Sequence, residues 1–189
     1  MKSSTSLRYA GFVKRMVAFA LDYLVIAVYV VALAVTTLGI FRVLEFAGRA
    51  VTFPQNPVIG DLIAFFTLVL PTILYFTLQE SSARQATWGK RKIGIRVVNA
   101  NGETLTRKQA FVRSLVKFLP WQIAHTCLFQ IEGLPFAPAQ PAPLVLIGFA
   151  IVYGLVGMYA LSTVISKNRR APYDWAAGSY VILNSHSPK

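Results

Sequence analysis

The sequence is poor in the residues that build metal sites and disulfide frameworks. Among its 189 residues there is one cysteine, Cys127, and there are two histidines, His125 and His186. An internal disulfide needs a second cysteine, and a zinc-type site needs three or four closely spaced ligands. We therefore expect neither an internal disulfide nor a metal site.

Acidic residues are also scarce, with 7 Asp and Glu against 19 Lys and Arg and a formal net charge of +12. In a soluble protein this balance would indicate nucleic-acid binding. However, 55% of the residues are hydrophobic and only 14% are charged, which is too apolar for an ordinary soluble domain. The basic residues cluster beside long apolar runs, as the positive-inside rule predicts for membrane proteins. We expect the lipid bilayer and anionic lipid headgroups on its cytoplasmic side as partners, and no nucleic acid.

Enzyme motifs are missing as well. We find no nucleophile–base arrangement, no His-rich metal spacing and no Gly-rich phosphate loop. The sequence therefore predicts no catalytic residue, no cofactor and no enzymatic activity. The first apolar run is too long for a cleavable signal peptide, and no small-residue cleavage site follows it closely.

Three apolar runs are long enough to span a bilayer: residues 16–40, 58–79 and 143–165. At about 1.5 Å per residue, each covers most or all of the roughly 30 Å of a bilayer core. Residues 110–131 are ambiguous, because polar and basic residues leave only residues 118–131 free of cations. This fourth region is compatible with a span, a re-entrant segment or an interfacial helix.

The distribution of bases favours four spans. With four spans and the N-terminus inside, 17 of the 19 bases lie in cytoplasmic segments, whereas three spans leave 13 inside. The positive-inside rule therefore includes residues 110–131 as a span. In chain order, the sequence predicts a cytoplasmic tail at 1–15, a membrane domain at 16–166 with a cytoplasmic loop at 80–109, and a cytoplasmic tail at 167–189.

A small β element is expected outside the membrane. Residues 92–98 are β-rich and partly alternating, Asn101-Gly102 is a turn signal, and residues 103–106 can return as a short strand. Residues 179–183 are also strand-like and offer an alternative partner. The predicted fold class is thus an all-α membrane protein, a bundle of four transmembrane helices with a small cytoplasmic β-hairpin or sheet. In the last span, the small residues Ala150, Gly154 and Gly157 predict close helix packing.

Charged residues inside the predicted spans are the candidate functional residues. Asp22 lies within the first span, and Arg15 precedes it by seven residues on the same helical face. A carboxylate at the centre of a membrane helix costs about 2.5–3.5 kcal/mol on insertion scales, so its default interpretation is functional. Asp61 is a secondary candidate, although an interfacial acid near a helix N-terminus explains it better. Lys117 is the other secondary candidate.

The direction of helical side chains predicts how these charges pair. Side chains tilt toward the helix N-terminus, so Arg15 points to the cytoplasm, away from Asp22. We therefore predict that Arg15 contacts Asp174 of the C-terminal tail. Asp22 then needs another cation, and Arg113 of the third helix, whose guanidinium binds carboxylates bidentately, is the predicted partner.

Several segments together resemble one family. Arg15 and Asp22 are seven residues apart, residues 87–98 read TWGKRKIGIRVV, and residues 174–178 read DWAAG. In this order and spacing they resemble the RDD family of small bacterial membrane proteins, over roughly residues 9–184. Trp88 and Pro172 depart from the family pattern, but neither is one of its named charges.

The resemblance implies a multi-pass protein of the bacterial inner membrane, with Arg15, Asp22 and Asp174 as its named charges. It also implies transport of an unknown ligand, or sodium–proton exchange as in some members. Two functions therefore stay open. One is a transporter or cation/proton exchanger that uses the buried charges; the other is a structural or accessory protein whose charges lock the bundle and whose cytoplasmic face binds a partner. A bundle of this size also favours a homodimer or a membrane protein partner.

Overall fold

The computed structural model describes residues 8–49, 56–133 and 138–184. The outer parts of the two predicted tails, residues 1–7 and 185–189, lie outside this range. The elements, in chain order, are α1 (Phe12–Phe46), α2 (Pro57–Ala64), a π-helical turn (Phe65–Val69), α3 (Leu70–Glu80), α4 (Trp88–Ile93), β1 (Ile95–Val98), α5 (Arg107–Phe129), α6 (Pro143–Ile165), α7 (Pro172–Ala176) and β2 (Tyr180–Leu183).

Within these described residues, three helices are long and apolar enough to cross a membrane: Phe12–Phe46, Pro57–Glu80 and Pro143–Ile165. In the most apolar stretches of the first and third, only 6% of the residues are buried within the protein. Such extensive exposed apolar surface fits a lipid environment and not water. Helix α5 does not meet the same criterion, so the structure supports three of the four predicted spans and leaves the fourth as a prediction. Helix α5 packs against α3 and α6.

Two prolines interrupt the helical hydrogen bonds, and two tyrosines compensate. Pro71 has no N–H to donate to the carbonyl of Thr67, four residues earlier, and the helix passes through the π-helical turn just before it. The hydroxyl of Tyr29 on α1 donates to that carbonyl oxygen at 2.5 Å. Pro120 in α5 leaves the carbonyl of Val116 free in the same way, and the hydroxyl of Tyr159 on α6 donates to it at 2.8 Å. These bonds link α1 to the π-helical turn and α6 to α5.

Close helix approach occurs at a glycine that the sequence did not single out. A Cβ on Gly148 of α6 would lie 2.3 Å from the Sγ of Cys127 on α5. By contrast, a Cβ on Gly154 or Gly157 would meet nothing within 4 Å. The prediction of close packing at Gly154 and Gly157 is therefore wrong, since those positions face away from the other helices.

The β element is a two-stranded antiparallel sheet of β1 and β2, with Ile95 opposite Leu183 and Val98 opposite Tyr180. Residues 103–106 form no strand and lead into the capping box at the start of α5, so the hairpin alternative is wrong and the pairing with 179–183 is confirmed. The strand also starts later than expected, because Lys92 and Ile93 belong to α4, which ends at Gly94 with a left-handed φ of 71°.

The N-terminal segment completes this layer. Tyr9 bridges Ile182, and the N–H of Ala10 donates to the carbonyl of Val181 at 2.8 Å. A small apolar core then joins the sheet to the first turns of α1 and α5. A second core, lined by Ile26, Val69, Ile73, Phe76 and Phe118, lies farther along the bundle. We call the end of the bundle that carries the sheet the charged end, because the buried ion pairs lie there.

Candidate functional site

Arg113, one and a half turns into α5, lies at the centre of the buried charges and is 2% exposed. Its Nη1 donates to both carboxylate oxygens of Glu80, at 2.8 and 2.6 Å. Its Nη2 and Nε donate to Oδ1 of Asp174, at 2.8 and 3.1 Å, and Nε also donates to Oγ of Ser179 at 3.2 Å. One guanidinium thus joins α5 to the end of α3, to α7 and to the residue just before β2.

Each of the two carboxylates has a second cation. Lys90 of α4 donates from Nζ to Oε1 of Glu80 at 2.6 Å. Arg15 of α1 donates from Nη1 to Oδ2 of Asp174 at 2.5 Å. Both carboxylates are fully buried. We call these five residues, Arg15, Glu80, Lys90, Arg113 and Asp174, the charge network.

The environment of Asp174 keeps it ionised. Burial alone would raise its pKa, but the guanidinium groups of Arg113 and Arg15, together with the N–H of Ala171, lower the pKa to about 2. The phenol of the adjacent Tyr173 has a raised pKa, chiefly because it is buried and lies beside the Asp174 carboxylate. Asp174 is therefore an anion at neutral pH, and it joins α7 to the bases of α1 and α5.

Asp22 has different partners. It is fully buried, and three neutral groups donate to it: the hydroxyl of Thr87 at 2.5 Å, the N–H of Gly89 at 2.7 Å and the hydroxyl of Tyr75 at 3.1 Å. The N–H of Trp88 in turn donates to the Tyr75 oxygen at 3.3 Å. We call Asp22, Tyr75, Thr87 and Gly89 the Asp22 anchor, because together they fix the start of α4 on α1.

Local sequence explains this arrangement. Thr87 caps the N-terminus of α4, and the free N–H groups of a first helical turn suit a carboxylate. Gly89 lets the backbones meet: a Cβ there would lie 2.1 Å from the carbonyl oxygen of Ala18 and 2.9 Å from the backbone nitrogen of Asp22. Both neighbours are main-chain atoms and cannot rotate away. Position 89 must therefore be glycine for α4 to pack on α1.

One of the two predicted pairings is confirmed and the other is wrong. Arg15 contacts Asp174, as predicted from the direction of its side chain. Asp22 does not contact Arg113, whose donors are occupied by Glu80 and Asp174. Within the described residues, Asp22 has no ion pair and is satisfied by neutral donors instead. The prediction failed because it assumed that a buried carboxyl group needs a cation, whereas three neutral hydrogen-bond donors can satisfy its oxygens instead.

The two secondary candidates lie apart from the charge network's ion pairs. The Nζ of Lys117 lies 3.7 Å from the ring centroid of Phe76 and 4.6 Å from that of Phe19, and no carboxylate in the described residues is within ion-pair distance of it. Asp61 of α2 accepts hydrogen bonds from the side chains of Gln122 and Thr126 of α5, at 3.0 and 2.7 Å. Lys117 therefore borders the network, whereas Asp61 contacts the part of α5 that lies away from it.

Sequence reasoning missed Glu80, Lys90, Tyr75, Thr87 and Gly89. Glu80 directly follows the second apolar run, residues 58–79, and is the last residue of α3. An acid at that position was the signal in the sequence that could have indicated a buried charge. Thr87 was recognisable as a helix N-cap, but only the fold shows that Asp22 faces it. Among the described residues, no group of three or more His, Cys, Asp or Glu is placed to hold a metal ion. The buried acids are already satisfied by donors on the protein, and this arrangement suits cohesion of the charged end.

The comparison with known families bears directly on the resemblance noted in the sequence. The model of the RDD family matches residues 9–178, which includes every member of the charge network and of the Asp22 anchor. The chain belongs to the RDD family. This RDD chain is also similar to the uncharacterized protein YxaI of Bacillus subtilis (strain 168), with 30% identity over 115 residues that cover 55% of this chain and 72% of YxaI. No solved structure matches it. Family membership and the three long apolar helices together identify a membrane protein.

Proposed function

We propose that this RDD chain is a non-catalytic, multi-pass protein of the bacterial inner membrane, with four spans and both termini in the cytoplasm. Its charge network has a structural role: it locks the sheet, α4 and α7 onto the helix bundle. In that role the charged end forms a stable cytoplasmic platform for a lipid or protein partner. The observation that carries the proposal is the saturation of Glu80 and Asp174 by cations of the chain itself.

Saturation matters because a carboxylate that carries ions has to exchange its partners. Glu80 accepts from Lys90 and Arg113, and Asp174 accepts from Arg15 and the same Arg113 guanidinium. All three cations are nearly inaccessible. Releasing one of these contacts leaves an uncompensated buried charge, which costs about 3–5 kcal/mol. Such a network suits cohesion better than repeated ion exchange.

The fourth span is supported by where α5 carries its charges. All four cations of α5, Arg107, Lys108, Arg113 and Lys117, lie in its first half, toward the charged end. Arg113 is neutralised by the network, and the exposed Arg107 and Lys108 precede it. The rest of the helix, residues 118–129, carries no formal charge apart from the titratable His125. Placing the charged end in the cytoplasm also satisfies the positive-inside rule.

Topology is tested with single cysteines in a Cys127→Ser background. A cysteine at Asn101 is expected to resist a membrane-impermeant thiol reagent in intact cells, and one at Gln140 is expected to react. Both must react after permeabilisation, which controls for accessibility. Reaction of Asn101→Cys from outside intact cells would contradict a cytoplasmic charged end.

Cation–proton exchange is the second candidate, since Asp22 is a fully buried carboxylate without an ion pair among the described residues. The deciding experiment is sodium- and proton-flux measurement in proteoliposomes with wild-type protein, Asp22→Asn and empty liposomes. The structural role predicts that wild-type vesicles show the same flux as empty ones. Sodium-dependent proton flux that Asp22→Asn abolishes would establish exchange instead.

A further inference from the structure

A cavity of about 640 Å³ lies between α1, α5 and α6. Its lining extends along α5 from Arg113 to Leu128 and along α6 from Val152 to Thr163. At about 1.5 Å per residue, the stretch on α5 is about 22 Å long. The cavity is therefore a long groove and not a compact pocket.

The two ends of the groove differ in polarity. Arg15, Lys90, Arg113 and Lys117 all line it at the charged end. The opposite part is lined mainly by apolar and aromatic side chains, including Trp121, Ala124, Leu128 and Val152, with His125 packed against Trp121. A ligand that fills the groove must carry its polar group at one end and an apolar body at the other.

The charged end of the groove has an excess of positive charge. Three of its four basic residues, Arg15, Lys90 and Arg113, are paired with the carboxylates Glu80 and Asp174. Lys117 has no carboxylate partner among the described residues, and it retains partial accessibility. In addition, Nη2 of Arg15 is buried without a hydrogen-bond partner. A lysine without a carboxylate partner and an unsatisfied guanidinium donor together call for an anion.

The groove opens sideways, toward the region that lipid occupies. Met16 of α1, Leu128 of α5 and Val156 of α6 line it, and each has at least 41% of its surface exposed. Helices α1 and α6 are the two whose apolar surface is least covered by the protein. A ligand can therefore enter laterally from the bilayer without crossing water.

We propose that this groove binds one anionic phospholipid, with its headgroup phosphate at Lys117 and Nη2 of Arg15 and an acyl chain along Trp121, Ala124 and Leu128. Charge complementarity selects the headgroup, and the length and apolar lining of the groove select a lipid over a free anion. This site is distinct from general attraction of lipid headgroups to surface bases, because it lies between helices. Lipid binding at this site does not depend on the structural role proposed above. Only the assignment of the lipid to the cytoplasmic leaflet rests on the proposed topology.

The test is native mass spectrometry of the full chain in mild detergent, titrated with dioleoylphosphatidylglycerol or with zwitterionic dioleoylphosphatidylcholine. One phosphatidylglycerol is expected to bind in preference to phosphatidylcholine. Lys117→Gln is expected to weaken that binding by at least about fivefold, as loss of one cation near a lipid phosphate does. Lys108→Gln removes an exposed lysine of the same helix that does not line the groove, and it is expected to change nothing.

A second variant keeps the test independent of Lys117. Val156→Trp fills the groove from α6 and is expected to reduce phosphatidylglycerol binding, whereas Ile151→Trp, on the exposed surface of the same helix, is expected to leave it intact. Equal retention of the two lipids, or unchanged binding in both Lys117→Gln and Val156→Trp, would overturn the site. Full competition by inorganic phosphate alone would show an anion site and overturn the lipid assignment.

Discussion

The charge network and the Asp22 anchor stabilise buried carboxylates in two different ways within the same end of the bundle. In the network, Glu80 and Asp174 are held by Lys90, Arg113 and Arg15. In the anchor, Asp22 is held by two hydroxyls and one backbone N–H. The ion pairs of the network are made by long charged side chains, whereas the anchor depends on close backbone contact between α1 and α4. The two therefore differ in what damages them: loss of charge for the network, and added volume for the anchor.

The largest effect is expected from Arg113→Gln. It leaves Glu80 and Asp174 with one cation each, and breaking a buried ion pair costs about 3–5 kcal/mol. Thermal unfolding in detergent measures the change. Arg107→Gln, at an exposed position in the first turn of the same helix, is the matched control. Equal stability of these two variants would mean that the network contributes little.

The pH dependence of stability tests the contribution of the ionised Asp174. The pKa of Asp174 falls from its usual 3.8 to about 2 on folding, because the guanidinium groups outweigh burial. Its stabilising contribution, roughly 2 kcal/mol, is complete well above pH 3.8 and is lost as the pH falls through 3.8 toward 2. We expect wild-type protein to lose more stability between pH 6 and 2.5 than Asp174→Asn, measured by chemical unfolding in detergent. A parallel loss in both proteins would assign the acid sensitivity elsewhere.

The Asp22 anchor is expected to be sensitive to volume. Gly89→Ala places a Cβ against the main chain of Ala18 and forces α4 away from α1. Overpacking of this kind costs about 1–3 kcal/mol. Gly154→Ala is the control, since its Cβ meets nothing within 4 Å and alanine favours a helix. If both variants unfold at the same temperature, α4 and α1 are not in the close contact described.

The smallest effect is expected at Asp61, which also has neutral partners but is not fully buried. Asp61→Asn keeps an oxygen that can accept from Thr126, so the loss is expected to stay below about 1 kcal/mol. The thermal unfolding of Asp61→Asn and of Arg113→Gln is measured under the same conditions, and their stability losses are compared. If Asp61→Asn lost as much stability as Arg113→Gln, pairing with cations would not be what makes the acids of the network more important than Asp61.

The sequence predicted the apolar helices and the Arg15–Asp174 contact, because both follow from local rules. Apolar length defines a membrane helix, and side-chain tilt directs Arg15 away from Asp22. Local sequence could not decide which segment pairs with residues 92–98, because residues 103–106 and 179–183 have similar strand character. The fold resolves it by using 103–106 as the entry to α5.

The partners of Asp22 were hidden for a different reason. The sequence shows Asp22 and Thr87 65 residues apart, and nothing in their spacing brings them together. Only the close packing of α4 on α1, permitted by Gly89, creates three neutral donors at one carboxylate. Arg113 was then assigned to the wrong acid because Glu80 was interpreted as part of a loop and not as the inward-facing end of α3.

The most direct test of two separate carboxylate centres is a pair of double-mutant cycles measured by unfolding in detergent. Asp22→Asn and Arg113→Gln share no hydrogen-bond partner, and their effects are expected to add within about 0.5 kcal/mol. Asp174→Asn and Arg113→Gln remove two ends of one ion pair and are expected to deviate from additivity by about 1–3 kcal/mol. Strong coupling in the first cycle with additivity in the second would contradict the structure and would indicate that Arg113 pairs with Asp22.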